Sequence, residues 1–166
     1  MLGLLGVQVL LNGVCKLESI ALVFPGQGSQ YLGMCEDLIN YSPSYQFFFE
    51  KASETFEVDF FSFCKYGPNE KLASTNIAQP VILIHSLIID KILKQNKIKI
   101  SAVAGHSLGE YSALVSSGVI SFDDCLKILK IRCKQMQLAN EKNNGGMLAV
   151  INDNLDLISD ICKNFS

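Results

Sequence analysis

A serine held between two glycines is the feature of this sequence best suited to chemistry. Residues Gly105–Gly109 read GHSLG, which matches the pattern Gly-x-Ser-x-Gly. Glycines at both ends allow a sharp turn from a strand into a helix, and such a turn pushes the serine hydroxyl clear of the sheet. We therefore predict that Ser107 is a nucleophile. On these five residues alone, a turn whose serine only caps the following helix is the alternative.

A second glycine-rich turn follows another apolar run. Ile20–Phe24 is continuously apolar, and Pro25–Gln30 (PGQGSQ) comes directly after it. If two such runs are parallel strands, the loops at their carboxyl ends share the sheet edge where open α/β folds place their sites. The backbone N–H groups of Leu108 and Gln27 would then be two donors of an oxyanion hole. A plain strand-to-helix turn would show the same glycines.

The elements that must position these residues predict an α/β fold with a parallel sheet and helices. Short apolar runs typical of buried strands occur at Ile20–Phe24, Ile100–Ala104 and Met147–Ile151. Apolar spacing or capping residues predict helices from Ser42 or Ser44 to about Ser53, from about Ile77, from Gly109 to Ser117, from Ser121 to about Ala139, and from Asp153 to Lys163. The aromatic stretch Phe56–Tyr66 is not assigned.

The helix from Ile77 is the most apolar of these. Thr75 or Asn76 can cap it, and Pro80 is tolerated in a first helical turn. Apolar residues recur along one face at helical spacing, so this helix is predicted to pack inward. His85 lies on that face, and we interpret it as a partly buried, hydrogen-bonded histidine rather than as a catalytic base.

Length and composition exclude several classes of protein. The chain has 166 residues, of which 49% are hydrophobic and 18% charged, with a formal net charge of −2. These values fit one packed domain. They exclude a disordered tail and a protein that binds nucleic acid mainly through positive charge. None of the six cysteines forms a C-x-x-C pair and only two histidines are present, so no metal site is expected. Scattered cysteines in an apolar chain favour a cytoplasmic protein with reduced thiols, and leave an organellar location open.

The amino-terminal segment is unusual. Met1–Leu11 is almost wholly apolar, but it is too short to span a bilayer. A signal peptide normally has basic residues before its apolar stretch, whereas the first lysine here is Lys16. Residues 1–18 are therefore expected to be an extension outside the core, or a non-native start, rather than a targeting or membrane segment.

Three blocks of this sequence together resemble a known family. Phe24–Gln30, Asn76–Pro80 and Gly105–Leu114 closely resemble, in order and spacing, the malonyl-CoA:acyl carrier protein transacylases and the related acyltransferase domains of fatty acid and polyketide synthases. The resemblance implies an α/β-hydrolase-like large subdomain with a smaller ferredoxin-like subdomain inserted. It assigns residues 19–143 to part of the large subdomain and residues 144–166 to the start of the small one.

The resemblance also implies roles for individual residues. Ser107 corresponds to the acylated nucleophile, and Gln27 and Leu108 to the donors of the oxyanion hole. Arg132 matches the arginine that pairs with the free carboxylate of the malonyl group, a task that suits a planar guanidinium better than a lysine. His106 would support the elbow without acting as the base. The implied substrate is malonyl-CoA and the implied partner is acyl carrier protein, with no cofactor, metal, nucleic acid or membrane.

One departure from the family is large. The family's catalytic histidine lies well beyond the nucleophile, yet no histidine follows His106. The sequence therefore looks like the amino-terminal half of the enzyme, with low activity expected from this chain alone. Two alternatives stay open: an α/β serine hydrolase or thioesterase, which would not account for Gln27 or Arg132, and a non-catalytic fragment that binds acyl carrier protein or a complementing half.

Overall fold

The computed structural model describes residues 19–143 and 155–164. In chain order its strands and helices are β1 (Ile20–Phe24), α1 (Glu36–Tyr41), a 3₁₀ turn (Pro43–Tyr45), α2 (Gln46–Phe56), α3 (Phe60–Tyr66), α4 (Asn69–Leu72), α5 (Thr75–Gln95), β2 (Ile100–Gly105), α6 (Gly109–Ser116), α7 (Phe122–Asn143) and α8 (Leu155–Asn164). The amino-terminal extension, Cys15 and the predicted strand Met147–Ile151 lie outside the described residues.

The two strands pair in parallel, with Phe24 opposite Gly105 at their carboxyl ends. This register brings the Pro25–Gln30 turn and the serine-containing turn to the same edge of the sheet. On one face of the sheet the side chains point toward the helices, where Phe24 is buried. On the other face Val23 is 76% exposed. The described residues therefore form an α/β structure with a small parallel sheet that is covered by helices on one side.

Helix α5 is the centre of the core. Almost every residue from Ile77 to Leu93 is buried, because helices α3, α6 and α7 all pack against it. By length and composition α5 is the one described helix that could cross a membrane, but 83% of its most apolar window is buried inside the protein. Its hydrophobicity is therefore that of a core helix.

Local patterns predicted the elements around the elbow well. Strand β1 has the predicted bounds, and β2 extends one residue further, to Gly105. The predicted cap of α7 is confirmed, since the Ser121 hydroxyl accepts a hydrogen bond from the N–H of Asp124 at 3.0 Å. Helix α7 continues past Ala139 to Asn143.

Two predicted helix starts need correction, and the stretch left unassigned contains a helix. The helix expected from Ser42 or Ser44 starts at Gln46, after a separate helix α1 that the sequence pattern did not indicate. The unassigned aromatic stretch contains α3, whose first turn is capped by the Asp59 carboxylate. Helix α5 starts at Thr75, so neither Thr75 nor Asn76 caps it. Pro80 therefore lies in the second turn, where its missing N–H leaves the Asn76 carbonyl without the usual helical partner.

Candidate active site

The turn between β2 and α6 is a strained elbow. Ser107 has a φ of 53°, in the left-handed region that residues other than glycine rarely adopt. Glycine is required on both sides, since a Cβ at Gly105 would overlap the backbone of Gly109, and a Cβ at Gly109 would overlap the carbonyl of Phe24. The strand and the helix can approach this closely only without side chains at those positions. The Ser107 side chain is exposed at the tip of the turn.

The strain at Ser107 has a measurable consequence. Ser107→Gly should be more stable to unfolding than Ser107→Ala by about 1 kcal/mol, because only glycine adopts a positive φ without steric cost. Both variants lose the serine hydroxyl equally, so their difference isolates the backbone conformation. Urea denaturation of both variants measures it. Equal midpoints would show that the elbow is not strained.

The backbone N–H groups of Gln27 and Leu108, in the two turns at this sheet edge, have no hydrogen-bond partner among the described residues. The Gln27 turn is shaped by its neighbours, since the Ser29 hydroxyl donates to the Gly26 carbonyl at 2.9 Å. Leu108 directly follows Ser107, and its side chain is fully buried. Unused donors at the carboxyl edge of a sheet are what an oxyanion hole requires.

Arg132 reaches the Ser107 side chain from helix α7. Its Nη2 donates a hydrogen bond to the Ser107 hydroxyl oxygen at 2.9 Å, and its Nη1 donates to the side-chain oxygen of Gln79. The guanidinium also lies 5.4 Å from the centre of the Tyr111 ring. Within the described part of the chain no carboxylate lies within 4.0 Å of it, so its positive charge is held only by neutral acceptors. Arg132 is also the only arginine in the sequence, a fact that could have singled it out without any resemblance.

Gln79 is a site residue to which sequence reasoning assigned no role, although it lies in the Asn76–Pro80 block. Its side chain is only 1% exposed. Its amide nitrogen donates to Gln27 Oε1 at 3.2 Å and contacts the Met136 sulfur at 3.3 Å, while its oxygen receives Arg132. A buried glutamine on a mostly apolar helix needs such partners. That contrast was the available signal in the sequence.

The two histidines occupy different environments. The His106 ring packs on the neighbouring turn, since a Cβ added at Gly26 would lie 2.8 Å from His106 Nδ1. His85 is 1% exposed, and neither ring nitrogen has a hydrogen-bond partner within the described residues, which corrects the predicted hydrogen-bonded, partly buried histidine. Burial lowers the pKa of His85 from 6.5 to about 4, with a smaller opposing effect from the Asp37 carboxylate.

His85 should make the protein sensitive to acid. Its pKa is about 4 in the folded chain and 6.5 in the unfolded one, so the unfolded state binds more protons between these values and stability falls as the pH falls. From pH 7 to pH 4.5 we expect a loss of about 2 kcal/mol in the free energy of unfolding from this residue. Urea titrations of the native chain and of His85→Leu across this range measure it. A pH dependence that is the same in both would contradict the assignment.

The four buried cysteines of the described residues are free thiols. Cys35, Cys64, Cys125 and Cys133 are buried, and Cys162 is exposed. Burial raises the pKa of Cys125 to about 12 and that of Cys133 to about 11, so these thiols are not nucleophiles near neutral pH. In the described part of the chain no cluster of three or more His, Cys, Asp or Glu residues could hold a metal ion.

A strained serine turn between a parallel strand and a helix is the arrangement of the α/β proteins that carry a nucleophile elbow. The chain belongs to the acyl transferase domain family, whose model matches residues 21–163. A malonyl CoA-acyl carrier protein transacylase from Haemophilus influenzae is 40% identical over 149 residues, which are 89% of this chain and 48% of that protein. The chain thus spans about half the length of the curated relatives it matches.

Solved structures agree with this assignment. An acyl-carrier-protein-S-malonyltransferase from Bartonella henselae superposes with a TM-score of 0.74 at 30% identity, covering 89% of this chain and 48% of that one. A malonyl-transacylase solved in complex with its type II polyketide synthase acyl-carrier protein gives a TM-score of 0.69 at 41% identity, covering 74% and 40%. The fold of this chain is therefore similar to part of the fold of these two proteins.

Proposed function

We propose that this chain supplies the nucleophile and the acyl-binding arginine of an enzyme that transfers a malonyl group from malonyl-CoA to the phosphopantetheine thiol of acyl carrier protein, in fatty acid biosynthesis. One observation carries the proposal most directly. The Arg132 guanidinium has no carboxylate partner within the described residues, and its Nη2 lies 2.9 Å from the hydroxyl oxygen of the exposed, strained Ser107. That pairing suits an acyl group that carries its own carboxylate.

The reaction would proceed in two acyl transfers. The Ser107 oxygen attacks the thioester carbonyl, its proton passes to a general base, and the coenzyme A thiol leaves, giving a seryl ester. The N–H groups of Gln27 and Leu108 stabilise the negative oxygen that forms on the carbonyl. The pantetheine thiol of the carrier protein then attacks the ester, the malonyl group moves to that sulfur, and the Ser107 hydroxyl is restored. Arg132 holds the malonyl carboxylate in both steps, and His106 supports the elbow through its packing on Gly26.

The same proposal covers the organisation of the chain. Residues 19–143 belong to an α/β-hydrolase-like large subdomain, residues 144–166 begin a ferredoxin-like subdomain, and residues 1–18 extend outside the core. The helical character of α8, at Leu155–Asn164, fits the start of such a subdomain. The proposed location is cytoplasmic, where malonyl-CoA and a carrier protein would meet, and no cofactor takes part.

Acylation of Ser107 is the direct test. A chimaera that joins this chain to the carboxyl-terminal part of the Haemophilus influenzae relative is incubated with malonyl-CoA, digested, and examined by mass spectrometry. We expect a malonyl increment on the peptide that contains Ser107, and none in Ser107→Ala. Ser117→Ala, at the other end of α6, is the matched control and should be acylated normally. A malonyl group found on a cysteine, with Ser107 unmodified, would overturn the proposal.

A further inference from the structure

The two terminal nitrogens of the Arg132 guanidinium, here called its two arms, bind one buried acceptor and one exposed acceptor. Nη1 is bound to the Gln79 side-chain oxygen, and Nη2 to the Ser107 hydroxyl. Gln79 is 1% exposed, whereas Ser107 is at the surface. One arm is therefore anchored inside the protein, and the other ends at the atom that must attack the substrate.

The anchored arm is held by a network that leaves Gln79 one orientation. Its amide nitrogen donates to Gln27 Oε1 at 3.2 Å and contacts the Met136 sulfur at 3.3 Å, so its oxygen must face Arg132. The Cys133 thiol donates to that same oxygen at 3.5 Å. Since turning the amide over would break these contacts, Gln79 is a fixed pivot for the guanidinium.

The other arm, Nη2, donates its hydrogen bond to the proposed nucleophile, the Ser107 oxygen. A hydrogen bond from a cation draws electron density from the Ser107 oxygen, so this oxygen attacks a carbonyl carbon less readily. The guanidinium also lies beside this same oxygen. A carboxylate is a much stronger acceptor for a guanidinium than a neutral hydroxyl, because the hydrogen bonds are then charge-assisted on both sides. A carboxylated ligand can therefore replace Ser107 as the hydrogen-bond acceptor of Nη2, whereas an acyl group without a carboxylate has no acceptor of that strength.

We propose that Arg132 is a latch on the nucleophile, which a carboxylated acyl group opens as it binds. The guanidinium pivots about its bond to Gln79, exchanges the Ser107 oxygen for the carboxylate, and leaves the hydroxyl free to react. Selectivity for a carboxylated substrate then has two sources. One is the affinity of the substrate for Arg132, and the other is the release of the Ser107 hydroxyl from its hydrogen bond to Arg132. This inference rests on the proposed function, because it needs Arg132 to bind the carboxylate.

The latch predicts that removing the serine hydroxyl strengthens carboxylate binding. Monomethyl malonate, which has one free carboxylate and one neutral ester, is titrated into the ¹⁵N-labelled 166-residue chain. Because Arg132 is the only arginine, its Nε–H gives a single side-chain NMR signal that reports binding. In Ser107→Ala no hydrogen bond has to be broken first, so we expect binding about 3- to 10-fold tighter than in the native chain. Ser117→Ala should bind as the native chain does.

The outcomes separate the latch from the proposed function. Equal or weaker binding in Ser107→Ala, together with loss of binding in Arg132→Gln, would overturn the latch and leave the role of Arg132 intact. Binding that survives in Arg132→Gln, or no saturable binding to either the native chain or Ser107→Ala, would overturn both. Ser107→Gly, which relieves the strain at this position, repeats the comparison if the alanine variant folds poorly, and it should bind more tightly as well.

Discussion

On its own, the 166-residue chain is expected to transfer malonyl groups about 10²- to 10⁴-fold more slowly than the chimaera, because a positioned general base usually contributes that factor. Within the described residues, the Ser107 hydroxyl has one hydrogen-bond partner, Arg132, and a guanidinium cannot accept its proton. His85 is buried in α5 with its pKa lowered to about 4. The His106 ring packs on Gly26, and its backbone N–H is bound to the Phe24 carbonyl at 3.0 Å.

The assay follows malonyl transfer to a pantetheine thiol with the purified chain and with the chimaera. Residual turnover from the oxyanion donors alone is expected to be small, as when other serine–histidine pairs are broken. Ser107→Ala in both proteins defines the background rate. Turnover by the chain that equals that of the chimaera and disappears in Ser107→Ala would show that these residues include a base, and the prediction would be wrong.

Arg132→Ala in the chimaera is expected to slow malonyl transfer by about 10- to 150-fold and to raise the ratio of acetyl to malonyl transfer. The magnitude follows from about 1.5–3 kcal/mol for a charge-assisted hydrogen bond in a partly buried site. The ratio should rise because acetyl transfer does not depend on a bond between Arg132 and a carboxylate. In addition, the Ser107 hydroxyl then no longer accepts a hydrogen bond from Arg132. Arg132→Lys should restore little, since an ammonium cannot grip a carboxylate at two points or reach Gln79 and Ser107 together.

Steady-state kinetics with malonyl-CoA and acetyl-CoA measure this selectivity. Lys134→Ala removes an exposed positive charge from the same helix and is the matched control, with no change in the ratio expected. The role of Arg132 would be refuted by an unchanged ratio of malonyl to acetyl transfer in Arg132→Ala. In that case the contact between Arg132 and Ser107 would have only a structural role.

Elements whose cause is local were predictable from the sequence. A continuous apolar run is enough to indicate β1, and the Ser121 hydroxyl, three residues before the Asp124 N–H, is enough to indicate the start of α7. The elbow is local only in part: a Cβ at Gly105 would overlap the backbone of Gly109, four residues later, whereas a Cβ at Gly109 would overlap the Phe24 carbonyl on β1. Helix α1 was missed because it has only six residues and no side-chain cap, so it depends on packing of Leu38 and Ile39 into the core.

By itself, the sequence determined where the serine-containing turn lies, which strands precede the two glycine-rich loops, and which helix is apolar enough to form the core. These properties depend on residue type and short spacing. Only the tertiary structure decided that Gln79 joins Gln27 to Arg132 and that Arg132 donates a hydrogen bond to the Ser107 hydroxyl. Those contacts join residues 25 to 53 positions apart. They exist because β1 and β2 pair in parallel while α5 and α7 pack together, and no local pattern encodes the distance between side chains on separate elements.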